Sequence, residues 1–136
     1  MLLAVHGQEH LERFLVLNKR LFVSALPPVN IAFKAQRKAK SLKLTYPNYE
    51  DALEDLISEV NELKDADNNE DRKDELGDVY FSLLNVSRYL DADPEIQLKR
   101  SIDRFITRAK YVEENYDENA DINELWQEAK NNQIES

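Results

Sequence analysis

Apolar residues recur at intervals of three and four along most of the chain, and no stretch alternates apolar and polar residues in the manner of a strand. Prolines and clusters of asparagine and aspartate separate the periodic segments, because both interrupt a helical hydrogen-bond ladder. The pattern predicts helices over about 8–22, 29–42, 49–66, 70–90 and 94–116, and a short last helix within 121–130. We therefore expect an all-α fold, a bundle of about five to six helices.

The third and fourth predicted helices are joined by the short acidic turn "DADNNE", so we expect them to be antiparallel neighbours in a helical hairpin. Asn48 and Asp121 stand where they can cap the third and the last helix. With 136 residues, of which 42% are hydrophobic, the chain fits one compact domain. Within it we expect an N-terminal helical segment over 1–25 and the main domain over 26–136.

Charge is distributed unevenly along the chain. The formal net charge is -9, which argues against a nucleic-acid partner. Residues 50–78 carry 13 of the 27 acidic residues, whereas residues 34–43 carry five basic residues and no acidic one. Such segregation can bring an anionic substrate, a cation and the protein together. No apolar run is long enough for a membrane span, and we expect a cytoplasmic protein without membrane contact.

Four acidic residues have a spacing that favours a metal site. Glu59 and Glu62 lie three apart on the third predicted helix, and Glu75 and Asp78 repeat that spacing on the fourth. Oxygen ligands without histidine or cysteine suit Mg²⁺, or Mn²⁺ as a substitute. The alternative is an acidic face in contact with water. Gly77 lowers helix stability by roughly 1 kcal/mol relative to alanine, which indicates a purpose such as close helix approach.

The stretches "SEVNEL" and "DELGDVYFSLLNVSRYL" together resemble the signature of the MazG family of nucleoside triphosphate pyrophosphohydrolases, E-E-x-x-E followed by E-x-x-D. The segments "AFKAQRKAKSLKLTYPN", "SIDRFITRAKYVE" and "ELWQEAK" are similar to other family motifs, in the same order. The resemblance covers about residues 26–130. It implies a Mg²⁺-dependent cleavage of nucleoside triphosphates between the α- and β-phosphates, giving a monophosphate and pyrophosphate.

The resemblance also implies roles for individual residues. Glu59, Glu62, Glu75 and Asp78 become metal ligands and catalytic residues, while Ser58 departs from the family pattern by replacing the first glutamate. The implied phosphate ligands are Arg104 and Arg108. Candidate substrate contacts are Lys34, Arg37, Lys38, Tyr46 and Asn85. For the three cations the alternative is a solvated surface, and for Tyr46 it is packing of the turn.

Apolar residues on the fourth predicted helix occupy more than one face, and they include Tyr80, Phe81, Leu83 and Leu84. A monomer would leave part of this surface in water, so we expect a homodimer or higher oligomer that completes a four-helix core. Two other functions remain open. One is hydrolysis of dUTP or a phosphoribosyl nucleotide by the same fold; the other is a weakly active nucleotide-binding or scaffold protein.

Overall fold

The protein is described by a computed structural model over residues 27–134. Within that range the chain forms five helices and no strand, so the all-α prediction is confirmed. The helices are α1 (Pro28–Ser41), α2 (Tyr49–Asp65), α3 (Asn69–Tyr89), α4 (Pro94–Asn115) and α5 (Ile122–Ile134). The helix expected over 8–22 and the segment expected over 1–25 lie outside the described residues.

Side-chain caps fix the starts of the helices. Asn48 Oδ1 accepts a hydrogen bond from Asp51 N (2.8 Å), and Asp121 Oδ1 accepts one from Asn123 N (2.8 Å), so both predicted caps are confirmed. Asn68 caps α3 in the same way. Because each cap satisfies an amide that the first helical turn leaves unpaired, these short polar residues set where α2, α3 and α5 begin.

The described chain falls into two compact units, with the division between Ala92 and Asp93. The first unit contains α1, α2 and α3, and the second contains α4 and α5. None of the helices in the described range has the length and apolar character needed to cross a membrane.

An antiparallel hairpin of α2 and α3 forms the centre of the first unit, and α1 packs on α3. The buried apolar residues here are mostly small: Ala35, Ala39, Ala52, Leu84 and Val86. Small side chains let helices approach closely, but they leave little apolar area to bury. The unit also buries polar side chains, namely Gln36, Asp55, Glu59, Ser82 and Ser87.

One expectation about α3 needs correction. A Cβ built on Gly77 would meet no atom within 4 Å among the described residues, so close helix approach does not explain this glycine. Leu84 is 4% exposed and belongs to the core of the unit, and Phe81 is half-buried. Tyr80 and Leu83 are exposed, so part of the apolar surface of α3 meets water, as expected for this chain alone.

In the second unit, α4 and α5 pack through aromatic and polar contacts. The rings of Phe105 and Trp126 lie 5.5 Å apart between centroids, and Tyr111 donates a hydrogen bond to Glu128 Oε2 (2.9 Å). Ala129 is buried, whereas α4 has no fully buried residue. These contacts hold the two helices together with very little enclosed apolar core.

One tyrosine fixes the loop between α1 and α2. The Tyr89 hydroxyl donates to Tyr46 O (2.7 Å), accepts from Tyr46 N (3.0 Å), and lies 2.7 Å from Thr45 Oγ1. A phenol has one proton to donate, so Thr45 is the donor of the third bond. The end of α3 thus satisfies both backbone groups of Tyr46 and sets the position of its side chain.

We predict that Tyr89→Phe lowers the free energy of unfolding by about 1–3 kcal/mol, because it leaves the part-buried N–H and C=O of Tyr46 without their partner. Urea denaturation followed by circular dichroism measures the change. Tyr49→Phe is the matched control, since no hydrogen bond of its hydroxyl is seen in the described chain, and it should change stability by less than about 0.5 kcal/mol. Equal effects of the two substitutions would contradict this account of the loop.

Candidate functional site

Three carboxylates meet on the α2–α3 hairpin. One oxygen from each of Glu59, Glu62 and Glu75 lies within 4.8 Å of the other two. Glu59 and Glu62 share a face of α2 because they are three residues apart, and α3 brings Glu75 to that face from the opposite direction. Spacing along each helix predicted the two halves of this group, and the antiparallel hairpin joins them.

The register of the hairpin is fixed by a polar contact inside it. Ser82 Oγ donates a hydrogen bond to Asp55 Oδ2 (2.5 Å), and both side chains are buried. Asp55 precedes Glu59 by one helical turn, and Ser82 follows Asp78 by one turn. The acidic group therefore lies one turn from this bond, nearer to the connection between the helices.

Burial and like charge act together on Glu59. Its side chain is 0% exposed. Loss of hydration raises the pKa of the Glu59 carboxyl above its ordinary value, and the neighbouring Glu62 carboxylate raises it further. The ionised form of this group is thus held at a cost in free energy, which a bound cation would offset.

Asp78 is close to the three glutamates without being part of their group. The pKa of its carboxyl is raised first by loss of hydration and then by the negative charge of Glu59. The structure therefore brings together three of the four acidic residues singled out from the sequence. The fourth, Asp78, lies near enough for the charge of Glu59 to raise its pKa. Ser58, beside Glu59 in sequence, is half-buried.

The donor set suits a hard divalent cation. Glu75 Oε2 is buried and has no hydrogen-bond partner among the described residues. A buried carboxylate oxygen without a partner is unfavourable by more than about 1–3 kcal/mol, so such an atom usually has a proton or a metal ion beside it. Three carboxylates without nitrogen or sulfur ligands fit Mg²⁺ or Mn²⁺. The group can hold a metal ion.

The three cations expected along the substrate lie on the outer face of α1. Lys34, Arg37 and Lys38 are exposed, whereas the side of α1 that packs on α3 carries Ala35, Gln36 and Ala39. Exposed cations on this face agree with both interpretations given above. They can form a solvated surface, or they can contact an anion that approaches from solvent.

Tyr46 and Asn85 line one cleft of the first unit. Burial raises the pKa of the Tyr46 phenol, the neighbouring Asp55 carboxylate raises it further, and the charge of Glu59 adds to the effect. Tyr46 is therefore close to the acidic group as well as to the cleft. Asn85 Oδ1 accepts a hydrogen bond from Arg88 Nη1 (3.0 Å).

Arg104 and Arg108 lie on α4 in the second unit. Arg104 Nη2 donates to Ser101 Oγ (3.0 Å). Arg108 Nε donates to Gln133 Oε1 (2.6 Å), and its guanidinium carbon lies 6.0 Å from the centroid of the Trp126 ring. Both arginines thus have contacts within their own unit, and Arg104 is exposed.

Four polar residues around the cleft and its loop were not predicted from the sequence: Gln36, Asp55, Ser82 and Tyr89. Gln36 occupies a position where the helical pattern of its segment calls for an apolar residue, and that mismatch is the one signal that could have found it. Asp55 lies outside the apolar stripe of its helix and gives no such signal. Ser82 and Tyr89 give no such signal, because serine and tyrosine are common on either face of a helix.

Comparison with known proteins reveals two relatives. A nucleoside triphosphate pyrophosphohydrolase/pyrophosphatase MazG from Thermotoga maritima is 29% identical over 114 residues, which cover 77% of this chain and 45% of the relative. The uncharacterized protein YabN from Bacillus subtilis is 37% identical over 67 residues, which cover 43% of this chain and 14% of the relative. No family model matches the chain.

The chain thus spans less than half the length of either relative. The stretch matched to MazG is long enough to include more than the acidic hairpin, since it takes in about three quarters of this chain. The resemblance predicted from the motifs is therefore confirmed, and over most of its length this chain is similar in sequence to a MazG nucleoside triphosphate pyrophosphohydrolase.

Proposed function

We propose that this protein is a Mg²⁺-dependent nucleoside triphosphate pyrophosphohydrolase that acts in the cytoplasm. The observation that carries the proposal is the convergence of Glu59, Glu62 and Glu75 on one hairpin, in a chain similar to a relative of that name. A triphosphate carries about four negative charges, and an acidic protein can bind it only where cations intervene. The acidic group supplies the place for such a cation.

Glu59, Glu62 and Glu75 would hold the metal ion, with Asp78 as a fourth ligand, and Mn²⁺ can replace Mg²⁺. When bound, the ion offsets phosphate charge and lowers the pKa of a coordinated water. The carboxylates have two tasks of their own. They orient the ion from both helices, and one of them, Glu59 or Glu62, accepts a proton from the attacking water.

In the proposed reaction a water oxygen attacks phosphorus, the bridging bond between the α- and β-phosphates breaks, and the proton passes to a carboxylate. The products are a nucleoside monophosphate and pyrophosphate. No cysteine is present in the chain, and no histidine lies near the acidic residues in sequence, so direct attack by water is favoured over a covalent intermediate. Arg104 and Arg108 are proposed as phosphate ligands, because guanidinium groups bind phosphate oxygens in pairs.

We further propose that the protein is a homodimer or a higher oligomer. Apolar side chains are exposed on both helices of the hairpin: Ile57, Val60, Leu76, Tyr80 and Leu83. The register set by Ser82 and Asp55 places Ile57 level with Tyr80, and Val60 level with Leu76. These residues can form one apolar surface beside the hairpin, and a second hairpin packed on it would give a four-helix core.

Incubation with each of the eight common ribo- and deoxyribonucleoside triphosphates and Mg²⁺ should release pyrophosphate and the monophosphate. We expect Glu59→Gln to lower kcat/KM by about 100-fold or more, because it removes a buried ligand charge. Glu54→Gln, the same change at an exposed site of α2, should leave kcat/KM within about twofold. Activity confined to dUTP would replace the proposal by the narrower alternative. Release of inorganic phosphate, or nucleotide binding without turnover, would contradict it.

Mg²⁺ should raise the melting temperature of the protein without any nucleotide. At ten times the dissociation constant the gain is about 1.4 kcal/mol. We expect Glu75→Gln to abolish this gain and to raise the melting temperature of the metal-free protein, since it removes one of three adjacent negative charges. Differential scanning calorimetry measures both effects, and Glu54→Gln should retain the Mg²⁺ response. A Glu75→Gln protein that still responds to Mg²⁺ would exclude Glu75 as a ligand.

Sedimentation equilibrium tests the oligomer. We expect a dimer or larger species for the unaltered chain and a monomer for Leu83→Glu, because a carboxylate within the apolar surface would lose its hydration on association. Leu83 is 47% exposed, so the substitution leaves the fold of the unit intact. Leu42→Glu, at another exposed leucine of the same unit, should not change the mass. A monomer at all concentrations in the unaltered protein would refute the proposal.

A further inference from the structure

A cleft lies within the first unit, between α1, the loop after it, and the paired helices α2 and α3. Its empty volume of about 410 Å³ includes space that is open to solvent, so the cleft is a surface feature rather than an enclosed cavity. Alanine, leucine and phenylalanine side chains form its apolar walls. Its polar lining consists of Gln36, Tyr46, Asp55, Ser82, Asn85 and Arg88.

One wall of the cleft offers a hydrogen-bond acceptor that has no partner in the described part of the chain. Gln36 is 5% exposed, and its Nε2 donates to Phe81 O (2.9 Å). Because a carbonyl oxygen can only accept, this bond fixes which end of the amide is nitrogen. Gln36 Oε1 is then buried and has no hydrogen-bond partner among the described residues. An N–H group of a ligand would satisfy it, whereas a second carbonyl oxygen would be repelled.

The adjoining α2 wall adds a second acceptor. The Asp55 carboxylate is 4% exposed, and Ser82 Oγ donates to one of its oxygens. Carboxylate oxygens accept several hydrogen bonds, so a ligand N–H group can bind Asp55 alongside the contacts that this side chain already makes. Gln36 and Asp55 together make this part of the cleft favourable to an N–H donor.

The α3 wall offers donors. Arg88 Nη1 donates to Asn85 Oδ1 (3.0 Å), which identifies the other end of the Asn85 amide as the nitrogen. Asn85 Nδ2 and the remaining N–H groups of Arg88 are donors only. The cleft therefore has hydrogen-bond acceptors on its α1 and α2 walls and hydrogen-bond donors on the wall formed by the end of α3.

The cleft adjoins the acidic group. Asp55 lies one turn from Glu59 on α2, and Ser82 lies one turn from Asp78 on α3, a rise of about 6 Å along each helix. A single sugar separates the base of a nucleotide from its α-phosphate. A nucleotide with its phosphates at the acidic group can thus place its base in the cleft.

We propose that this cleft selects the base of the substrate, and that it favours an exocyclic amino group beside a ring-nitrogen acceptor. Cytosine and adenine share that edge, whereas uracil, thymine, guanine and hypoxanthine present a carbonyl beside an N–H. Gln36 and Asp55 accept from the amino group, and Asn85 or Arg88 donates to the ring nitrogen. The inference rests on the proposed function and adds the class of nucleotide on which it acts.

The test compares substrates that differ only by amino and carbonyl groups. With Mg²⁺ present, kcat/KM should be at least about tenfold higher for CTP than for UTP, and higher for ATP than for ITP. A carbonyl placed against Gln36 and Asp55 leaves buried polar groups unpaired, which is the source of the discrimination. Equal values within each pair, or the reverse order, overturn the inference.

Two variants assign the preference to the cleft. Gln36→Leu removes the unpaired acceptor and should bring the CTP/UTP ratio close to one, chiefly by a loss with CTP. Gln97→Leu, the same change at an exposed residue of α4, should leave the ratio unaltered. Asn85→Asp exchanges a donor for an acceptor and should lower the ratio by improving UTP. The new carboxylate can still accept the hydrogen bond from Arg88. This second variant therefore keeps the test decisive if Gln36→Leu does not fold.

The outcomes separate this inference from the proposed function. Hydrolysis of all bases at one rate, or a preference that neither cleft variant changes, refutes base selection by the cleft and leaves the hydrolase intact. If no triphosphate is hydrolysed, calorimetric titration with CMP and UMP decides the matter. Tighter binding of CMP, lost in Gln36→Leu, would support the cleft while the proposed reaction fails, and equal or undetectable binding of both overturns it.

Discussion

Electrostatic repulsion among carboxylates at a helix–helix interface is the constraint on which the rest of the first unit depends. Glu59, Glu62 and Glu75 have oxygens within 4.8 Å of one another, and Glu59 is fully buried. Packing α2 against α3 therefore brings together like charges that water would otherwise separate. The bond from Ser82 to Asp55 and the Asn68 cap hold the hairpin in the register that creates this repulsion. A divalent cation would offset this repulsion. The register that lowers the stability of the metal-free unit would then also form the binding site of the ion.

The cleft results from the way in which α1 and the loop after it pack on the hairpin. Ala35 and Ala39 let α1 lie close to α3, and their small volume leaves space that larger side chains would fill. Gln36 bridges the two helices by bonding Phe81 O, while Tyr89 holds the loop that carries Tyr46. The cleft is thus enclosed by three segments fixed through polar contacts rather than through a large apolar core. In the proposed function, the acidic group would hold the cation that offsets the phosphate charge, and the cleft would supply hydrogen-bonding groups for the base.

Much of the fold could be predicted from the sequence. Apolar spacing and the residues that interrupt it predicted the five helices of the described range to within a few residues, since both signals act locally. The paired carboxylates could be predicted for the same reason, because residues three apart share a face of any helix. Prediction failed where tertiary contacts decide the outcome, since Gly77 has open space where a close neighbour was expected.

The sequence alone determined that the chain is helical, that two helices form a hairpin, and that each carries an acidic pair on one face. Tertiary structure decided which polar residues meet. Gln36 and Phe81 are 45 residues apart, Tyr46 and Tyr89 are 43 apart, and Asp55 and Ser82 are 27 apart. No periodicity within a helix encodes such pairs. They depend on the register and angle between helices, which all the side chains of the interface set together.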